Sequence, residues 1–244
     1  MAREFNPDEP ELMDRPQPVS DELRRDLANL ASLNRWFGAH AIVDRFMAPW
    51  WDQAPRLGSP DAAALTVLDL CTGSGDIPRR LIDQARVRGR QLRVCAVDFQ
   101  PATLEIARQW SEGYPEIEYR RADVVDPAAD LPRADLVMCS LALHHFSEGD
   151  AVRVLQTCRR QARRAALMAD LQRRRLTTLG VWLLTATCYR EPMTVADART
   201  SARRAFSFNE LKRMLKAGGW GACEHRQSVF GRQWAVWKAA ADDR

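Results

Sequence analysis

The sequence lacks the usual marks of an exported, membrane-spanning or nucleic-acid-binding protein. Its six cysteines, Cys71, Cys95, Cys139, Cys158, Cys188 and Cys223, are scattered and include no C-x-x-C pair. Three of them sit in apolar runs of strand type. That usage argues against a disulfide framework and against a zinc site, so no metal is expected. The first residues are acidic and proline-rich with no apolar signal core, so a cytoplasmic protein is expected. No apolar run is long enough to span a bilayer. The best candidate, residues 176–189, is interrupted by Gly180, Thr185 and Thr187 and reads as a buried or interfacial helix. No aromatic residue interleaves with Arg159, Arg160, Arg163, Arg164, Arg173, Arg174 and Arg175. Without a stacking platform, and with a net charge of only +4, no nucleic-acid partner is expected. These arginines read instead as a solvated helix face followed by a helix start. No internal repeat is present.

What is present suits one domain with a small cap: 244 residues, 46% hydrophobic and 28% charged. Residues 1–19 carry Pro7, Pro10, Pro16 and Pro18 and read as an extended arm. Ser20 opens a helical pattern in which Leu23, Leu27, Leu30, Leu33 and Phe37 share a face. A second helix is expected over about residues 39–51, with Ile42, Val43 and Phe46 on one side. Pro55, Gly58 and Pro60 mark a linker.

Beyond the linker, strand-type and helix-type segments alternate. Strands are expected at residues 65–70, 92–97, 117–120, 134–140 and 164–169. Helices are expected at about 76–88, from Pro101 onward, and at 150–161. A helix at 208–217 should stop at Gly218 and Gly219. Two last strands, at about 222–229 and 233–238, should turn at Gly231. The pattern predicts an α/β fold: a Rossmann-like, seven-stranded, mostly parallel sheet with helices on both faces. It adds an N-terminal helical extension, a helical cap before the last helix and a C-terminal β-hairpin. Residues 1–60 are expected to form a lid. Residues 61–244 are expected to form the binding domain, with a cap insertion at about 172–206.

The chemistry starts at the first strand-to-helix turn. Gly73 and Gly75 lie between a strand end and a helix start, where the lack of a Cβ lets a cofactor approach the backbone. Asp98 ends the next strand about twenty residues on, the place of a carboxylate that grips a ribose diol. Asp123 follows the third strand, near where an adenine edge would lie. A dinucleotide is disfavoured, because the third glycine of that fingerprint is replaced by Ile77 or Pro78. Asp76 at the helix start would repel a pyrophosphate. Asp69 and Asp76 would instead welcome a cofactor bearing a sulfonium and an ammonium, which favours S-adenosylmethionine (SAM) over NAD.

Residues 68–76, LDLCTGSGD, resemble the first motif of class I SAM-dependent methyltransferases. Residues 94–101, VCAVDFQP, look like the second, 121–124, RADV, like the third, and 135–146, DLVMCSLALHHF, like the fourth. The four occur in order across about residues 65–171. One departure is Cys71, which stands at the family's first glycine. The resemblance implies that Gly73 and Gly75 pass beneath the methionine part of SAM and that Asp69 orders the loop or meets the ammonium through water. Asp98 would hold the ribose, Phe99 would pack on the adenine, Asp123 would bond its amine and Val124 would contact the ring. Ser140 and Leu141 would border the methyl group. The product would be S-adenosylhomocysteine. The plain structural alternative for Asp98 and Asp123 is that they cap turns.

The acceptor is less defined. There is no N-P-P-Y after the fourth strand, which lowers the weight of amino-group acceptors. Ser140 stands where a metal-dependent catechol enzyme needs a carboxylate, so again no metal is expected. Ubiquinone-type ring methyltransferases carry Arg-Asn-Val here, and this chain does not. His144 and His145 remain, and a neutral imidazole can take a hydroxyl proton as a methyl group arrives. Asp170, ending the fifth strand, could orient that histidine or take the proton itself. The alternative is a capping His pair. The layout resembles phenol and sugar O-methyltransferases, and with the arm at 12–16 and residues 33–38 it looks like methyltransferases found beside bacterial polyketide synthases. These resemblances imply transfer to a hydroxyl of a hydrophobic aromatic molecule of phenolic or polyketide type. Other readings are a C-methyltransferase on a quinone-like ring, an NAD-dependent oxidoreductase and a non-catalytic SAM-binding protein. Leu176, Leu179, Trp182, Leu183, Tyr189 and Met193, faced by Trp36, Phe37, Trp50 and Trp51, are expected to line the acceptor pocket. A homodimer is one assembly open to the chain.

Overall fold

A computed structural model describes residues 2–59, 62–187, 189, 191–228 and 231–240. The strands are β1 (Leu65–Leu70), β2 (Leu92–Asp98), β3 (Ile117–Arg121), β4 (Ala134–Ser140), β5 (Ala162–Leu171), β6 (Glu224–Gln227) and β7 (Arg232–Lys238). They form one sheet in the order β3-β2-β1-β4-β5-β7-β6. The first five are parallel, while β7 runs antiparallel to β5 and β6 antiparallel to β7. The Rossmann-like sheet expected from the sequence is therefore the fold observed.

Alternation along the central strands explains how the helices attach. Val67, Leu136, Met138, Leu167 and Ala169 face one apolar cluster, and Leu68, Leu70, Val137, Cys139, Ala166 and Met168 face the other. Both faces are apolar because both are covered, as parallel strands require. Helices α2 (Ala39–Met47) and α3 (Asp76–Val87) cover the first face. Helices α5 (Glu148–Gln161) and α8 (Phe208–Ala217) cover the second. Burying Ile42, Val43, Phe46 and Met47 of α2 contributes on the order of 2 kcal/mol each. A third cluster joins Leu23 and Leu27 of α1 (Asp21–Trp36), Ala102 and Ile106 of α4 (Pro101–Trp110) and Met193 of α7 (Pro192–Arg204). Helix α6 (Arg175–Thr187) precedes α7 and packs against it.

The helix starts are chemically specified. The Ser20 side chain accepts the Leu23 N–H, Ser147 accepts that of Asp150, and Ser207 forms a reciprocal capping box with Glu210.

Several expectations are corrected. The second helix ends at Met47 and continues as a 3-10 segment over Ala48–Gln53, because Pro49 cannot donate to an α-helical ladder. The arm contains a 3-10 turn at Leu12–Asp14. β6 is shorter than expected, and Val229 and Cys188 lie outside the described residues. Arg173 is not solvated: it is buried, donates to the Ala205 carbonyl at 2.6 Å and pairs with Glu210 at 2.8 Å. Arg159 and Arg164 meet aromatic rings from elsewhere in the fold, Trp237 at 3.7 Å and Trp50 at 4.7 Å.

Candidate active site

The strand order reverses between β1 and β4, and a cavity of about 870 Å³ opens at the carboxyl ends of β1, β2 and β4. Such a crevice is where ligands bind in open α/β sheets, and its size is at the upper end for small-molecule sites. Its far wall is the N-terminal arm, α1 and α6.

The turn after β1 holds three residues at positive φ: Cys71 (58°), Gly73 (55°) and Gly75 (70°). Cys71 adopts there the left-handed conformation that glycine takes without cost, a strain of about 1 kcal/mol. A side chain at Gly75 would be strained at its positive φ and would have to displace Tyr119, whose hydroxyl oxygen lies 2.0 Å from where the Cβ would fall. That hydroxyl is 2.8 Å from Ser111 Oγ. The Asp98 carboxylate accepts the Gly73 N–H at 2.8 Å and the Gln100 N–H at 3.0 Å, so it ties the glycine turn to the end of β2. Burial pushes its pKa up. Asp69 is buried below the turn and accepts the Thr72 hydroxyl at 2.6 Å. Burial, more than this bond offsets, pushes its pKa up to about 7.

Asp69, Gly73, Asp76, Asp98, Phe99, Asp123, Val124, Ser140, Leu141, His144 and His145 all border the cavity. Gly75 and Asp170 stand behind it. Three placements refine the expectations. Asp76 is engaged, with His40 Nε2 at 2.9 Å and Asn34 Nδ2 donating at 3.2 Å. Burial opposes its ionisation, yet His40 and Asn34 hold its carboxyl below the usual range. Asp123 is exposed and accepts the Val125 N–H at 2.9 Å, the turn-capping alternative, while keeping its place on the cavity wall. Ser140 Oγ is buried with no hydrogen-bond partner among the described residues, and Ser140 borders the cavity. Leu141 is held at φ 58° by its N–H on the Ala169 carbonyl.

The histidines are held by different carboxylates. His144 Nδ1 donates to Asp170 Oδ1 at 2.7 Å, and its backbone N–H donates to Asp170 Oδ2 at 2.9 Å. Asp170 also accepts the Leu171 N–H at 2.7 Å, so three donors fix its carboxylate. His145 Nδ1 lies 2.6 Å from Asp14, and its Nε2 lies 3.9 Å from Glu11. Burial disfavours charge on His145, but Asp14 and Glu11 outweigh it and hold its pKa well above that of ordinary imidazole. Glu11, His144 and His145 place one donor atom each within 4.8 Å of one another, a set able to hold a cation. His145 Nε2 faces Glu11 at 3.9 Å, and the same acids favour the protonated ring.

Glu11 and Asp14, with Asn34 and His40, are the site residues that sequence reasoning missed. The arm is latched over the His pair: Arg3 donates to the His144 and Phe146 carbonyls at 3.0 and 2.7 Å. The acceptor wall is also corrected. Trp50 and Trp51 lie in the sheet core, Met193 packs against α1, and Trp36 faces solvent. Leu179, Trp182 and Leu183 point outward, whereas Leu30, Leu33, Phe37, Val181 and Leu184 line the cavity.

With this geometry in place, comparison with known proteins settles what kind of domain it is. Residues 67–165 match the family described as a methyltransferase domain. These residues are a methyltransferase domain. The motif-by-motif expectation of a SAM methyltransferase is thereby borne out at the level of the domain. A curated relative, the 2-phytyl-1,4-naphtoquinone methyltransferase of Thermosynechococcus vestitus, is 39% identical over 114 residues, 47% of this chain and 42% of that one. The chain spans about half the length of the curated relatives it matches. A plantazolicin methyltransferase solved with S-adenosylhomocysteine superposes with a TM-score of 0.63 at 9% identity, covering 91% of this chain and 92% of that one. The CMeT domain of citrinin polyketide synthase gives 0.61 at 12% identity, covering 82% and 52%. At such identities the two structures are similar in fold.

Proposed function

We propose that this chain transfers a methyl group from SAM to a hydroxyl of a hydrophobic aromatic small molecule, leaving S-adenosylhomocysteine. The observation that carries the reading is the Asp170–His144 pair at the wall of a largely apolar cavity. Bound SAM supplies an electrophilic methyl group on a sulfonium. The acidic wall of Asp69 and Asp98 and the orphan Ser140 hydroxyl suit its polar and cationic parts. Asp98 would hold the ribose, Phe99, Asp123 and Val124 the adenine, and Gly73 and Gly75 would pass beneath the methionine chain.

Asp170 fixes the His144 tautomer with its proton on Nδ1, which leaves Nε2 able to accept the acceptor's hydroxyl proton. His145, held as an imidazolium by Asp14 and Glu11, has no lone pair to offer. Its role is to fasten the arm and to place positive charge beside a forming phenolate. Residues 1–60 and the cap at about 172–206 would act together as a lid, and alignment of the reacting atoms under it would supply much of the rate.

A second reading is favoured by the curated relatives, whose name specifies a naphthoquinone ring. A deprotonated hydroquinone can present a ring carbon as the nucleophile, so the same base serves C-methylation. Incubation with methyl-labelled SAM and a panel of alkyl phenols, resorcinols and naphthohydroquinones tests both, because a methoxy and a ring methyl differ in carbon chemical shift. A labelled methoxy product supports the first reading. A ring methyl replaces it with the second. No labelled product from any member of the panel removes both.

A further inference from the structure

Helix α6 is apolar on two sides. Thr177, Val181 and Leu184 turn toward the cavity. Leu176, Leu179, Trp182 and Leu183 recur at helical spacing on the outer side and are 81, 55, 53 and 52% exposed. A surface helix ordinarily turns polar residues to water, and this one turns its largest apolar ones. Along the chain, the charge flanking the stripe has one sign up to Glu191. No Asp or Glu occurs between Asp170 and Glu191, while Arg174 and Arg175 stand exposed at the helix start. The Arg199 guanidinium of α7 lies 4.9 Å from the Trp182 ring. At the end of α1, Trp36 is 72% exposed with Arg35 against its ring at 5.5 Å, directly before Phe37, which lines the cavity. At 13 residues α6 is too short to cross a bilayer.

We propose that the outer face of α6 docks on an anionic lipid bilayer. Leu179, Trp182 and Leu183 would enter the boundary between headgroups and acyl chains, and Arg174 and Arg175 would meet lipid phosphates. The charge argues for lipid over a second copy of the chain: two such faces paired together would set arginine near arginine, with no acid in the stretch to answer them. Leu176 belongs to both the outer stripe and the cavity rim, so the bilayer would meet the rim itself. The inference deepens the reading of a hydrophobic acceptor, which it needs for its purpose and not for its test.

The test is flotation of the whole chain with phosphatidylcholine vesicles, with and without phosphatidylglycerol. Wild type is expected to float with the anionic vesicles and to release as salt is raised. The triple variant Leu179→Ser, Trp182→Ser, Leu183→Ser should remain soluble and unbound. Arg174→Glu with Arg175→Glu should lower partitioning by about tenfold or more. Brominated lipid should quench tryptophan emission in wild type and quench it less in Trp182→Phe. Circular dichroism and SAM titration report that each variant is folded. Failure of wild type to bind anionic vesicles overturns the proposal. So does undiminished binding by the folded triple variant, or a vesicle-free dimer that this variant disperses. Vesicle binding without SAM binding would sink the proposed function and leave the docking face standing.

Discussion

Asp170 grips His144 twice, through the ring Nδ1 at 2.7 Å and through the backbone N–H at 2.9 Å. One carboxylate therefore sets both the tautomer of the imidazole and the position of its residue. Asp170→Asn keeps the shape but offers an amide N–H where the ring needs an acceptor, which favours the other tautomer. Turnover should fall by about 100-fold or more with SAM affinity unchanged. His144→Ala should do the same. Steady-state kcat alongside a SAM titration checks this, and wild-type kcat in either variant would remove the pair from catalysis.

The arm makes a separable prediction. Asp14→Asn removes the nearest charge holding the His145 proton, so the His145 pKa should fall toward the ordinary imidazole value. Histidine chemical shifts followed against pH should show that fall. An unshifted titration would mean that Asp14 does not control His145.

Gly73 and Gln100 both lose their acceptor when Asp98 becomes alanine. Asp98→Ala should abolish measurable SAM binding while circular dichroism shows a folded chain. Tight binding by the folded variant would end the ribose assignment.

The first strand, glycine turn and second strand were legible because their physics is local. Strands buried on both faces read as continuous apolar runs, and a turn at positive φ asks for glycine. Ser20, Ser147 and Ser207 likewise announce helix starts by chemistry within three residues. The arm was not legible, because Glu11 and Asp14 reach the His pair across more than a hundred residues and show no periodicity. His40 and Asn34 were missed for the same reason. Helix α6 defeated pattern reading in another way: it is apolar almost all round, so the sequence carries no sign of which side faces in.

Stability should depend on pH in a defined direction. Burial pushes Asp69 and Asp197 up to about 7 and Asp26 up to about 6. A carboxyl raised above its unfolded value of 3.8 favours the folded state while protonated, and this contribution is lost as pH climbs to the folded value. His145, raised above 6.5, adds in the same sense: its contribution is full below that value and lost as pH rises through the folded one. The cofactor-free chain should therefore melt at lower temperature at about pH 8 than at about pH 5, by a few kcal/mol of stability. A melting temperature that holds steady or rises over that range would contradict these assignments.

No step of the proposed chemistry passes through a metal, although Glu11, His144 and His145 lie within reach of one. Dialysis against a strong chelator should leave kcat unchanged. Loss of activity restored by a divalent cation would reassign the two histidines from proton transfer to coordination.

Calorimetric titration of the purified chain with SAM, S-adenosylhomocysteine and NAD addresses the cofactor itself. Affinity on the order of micromolar is expected for SAM and its product, and none for NAD. Absence of binding by both SAM and S-adenosylhomocysteine would contradict it and leave the Asp98-tied glycine turn as a structural feature alone.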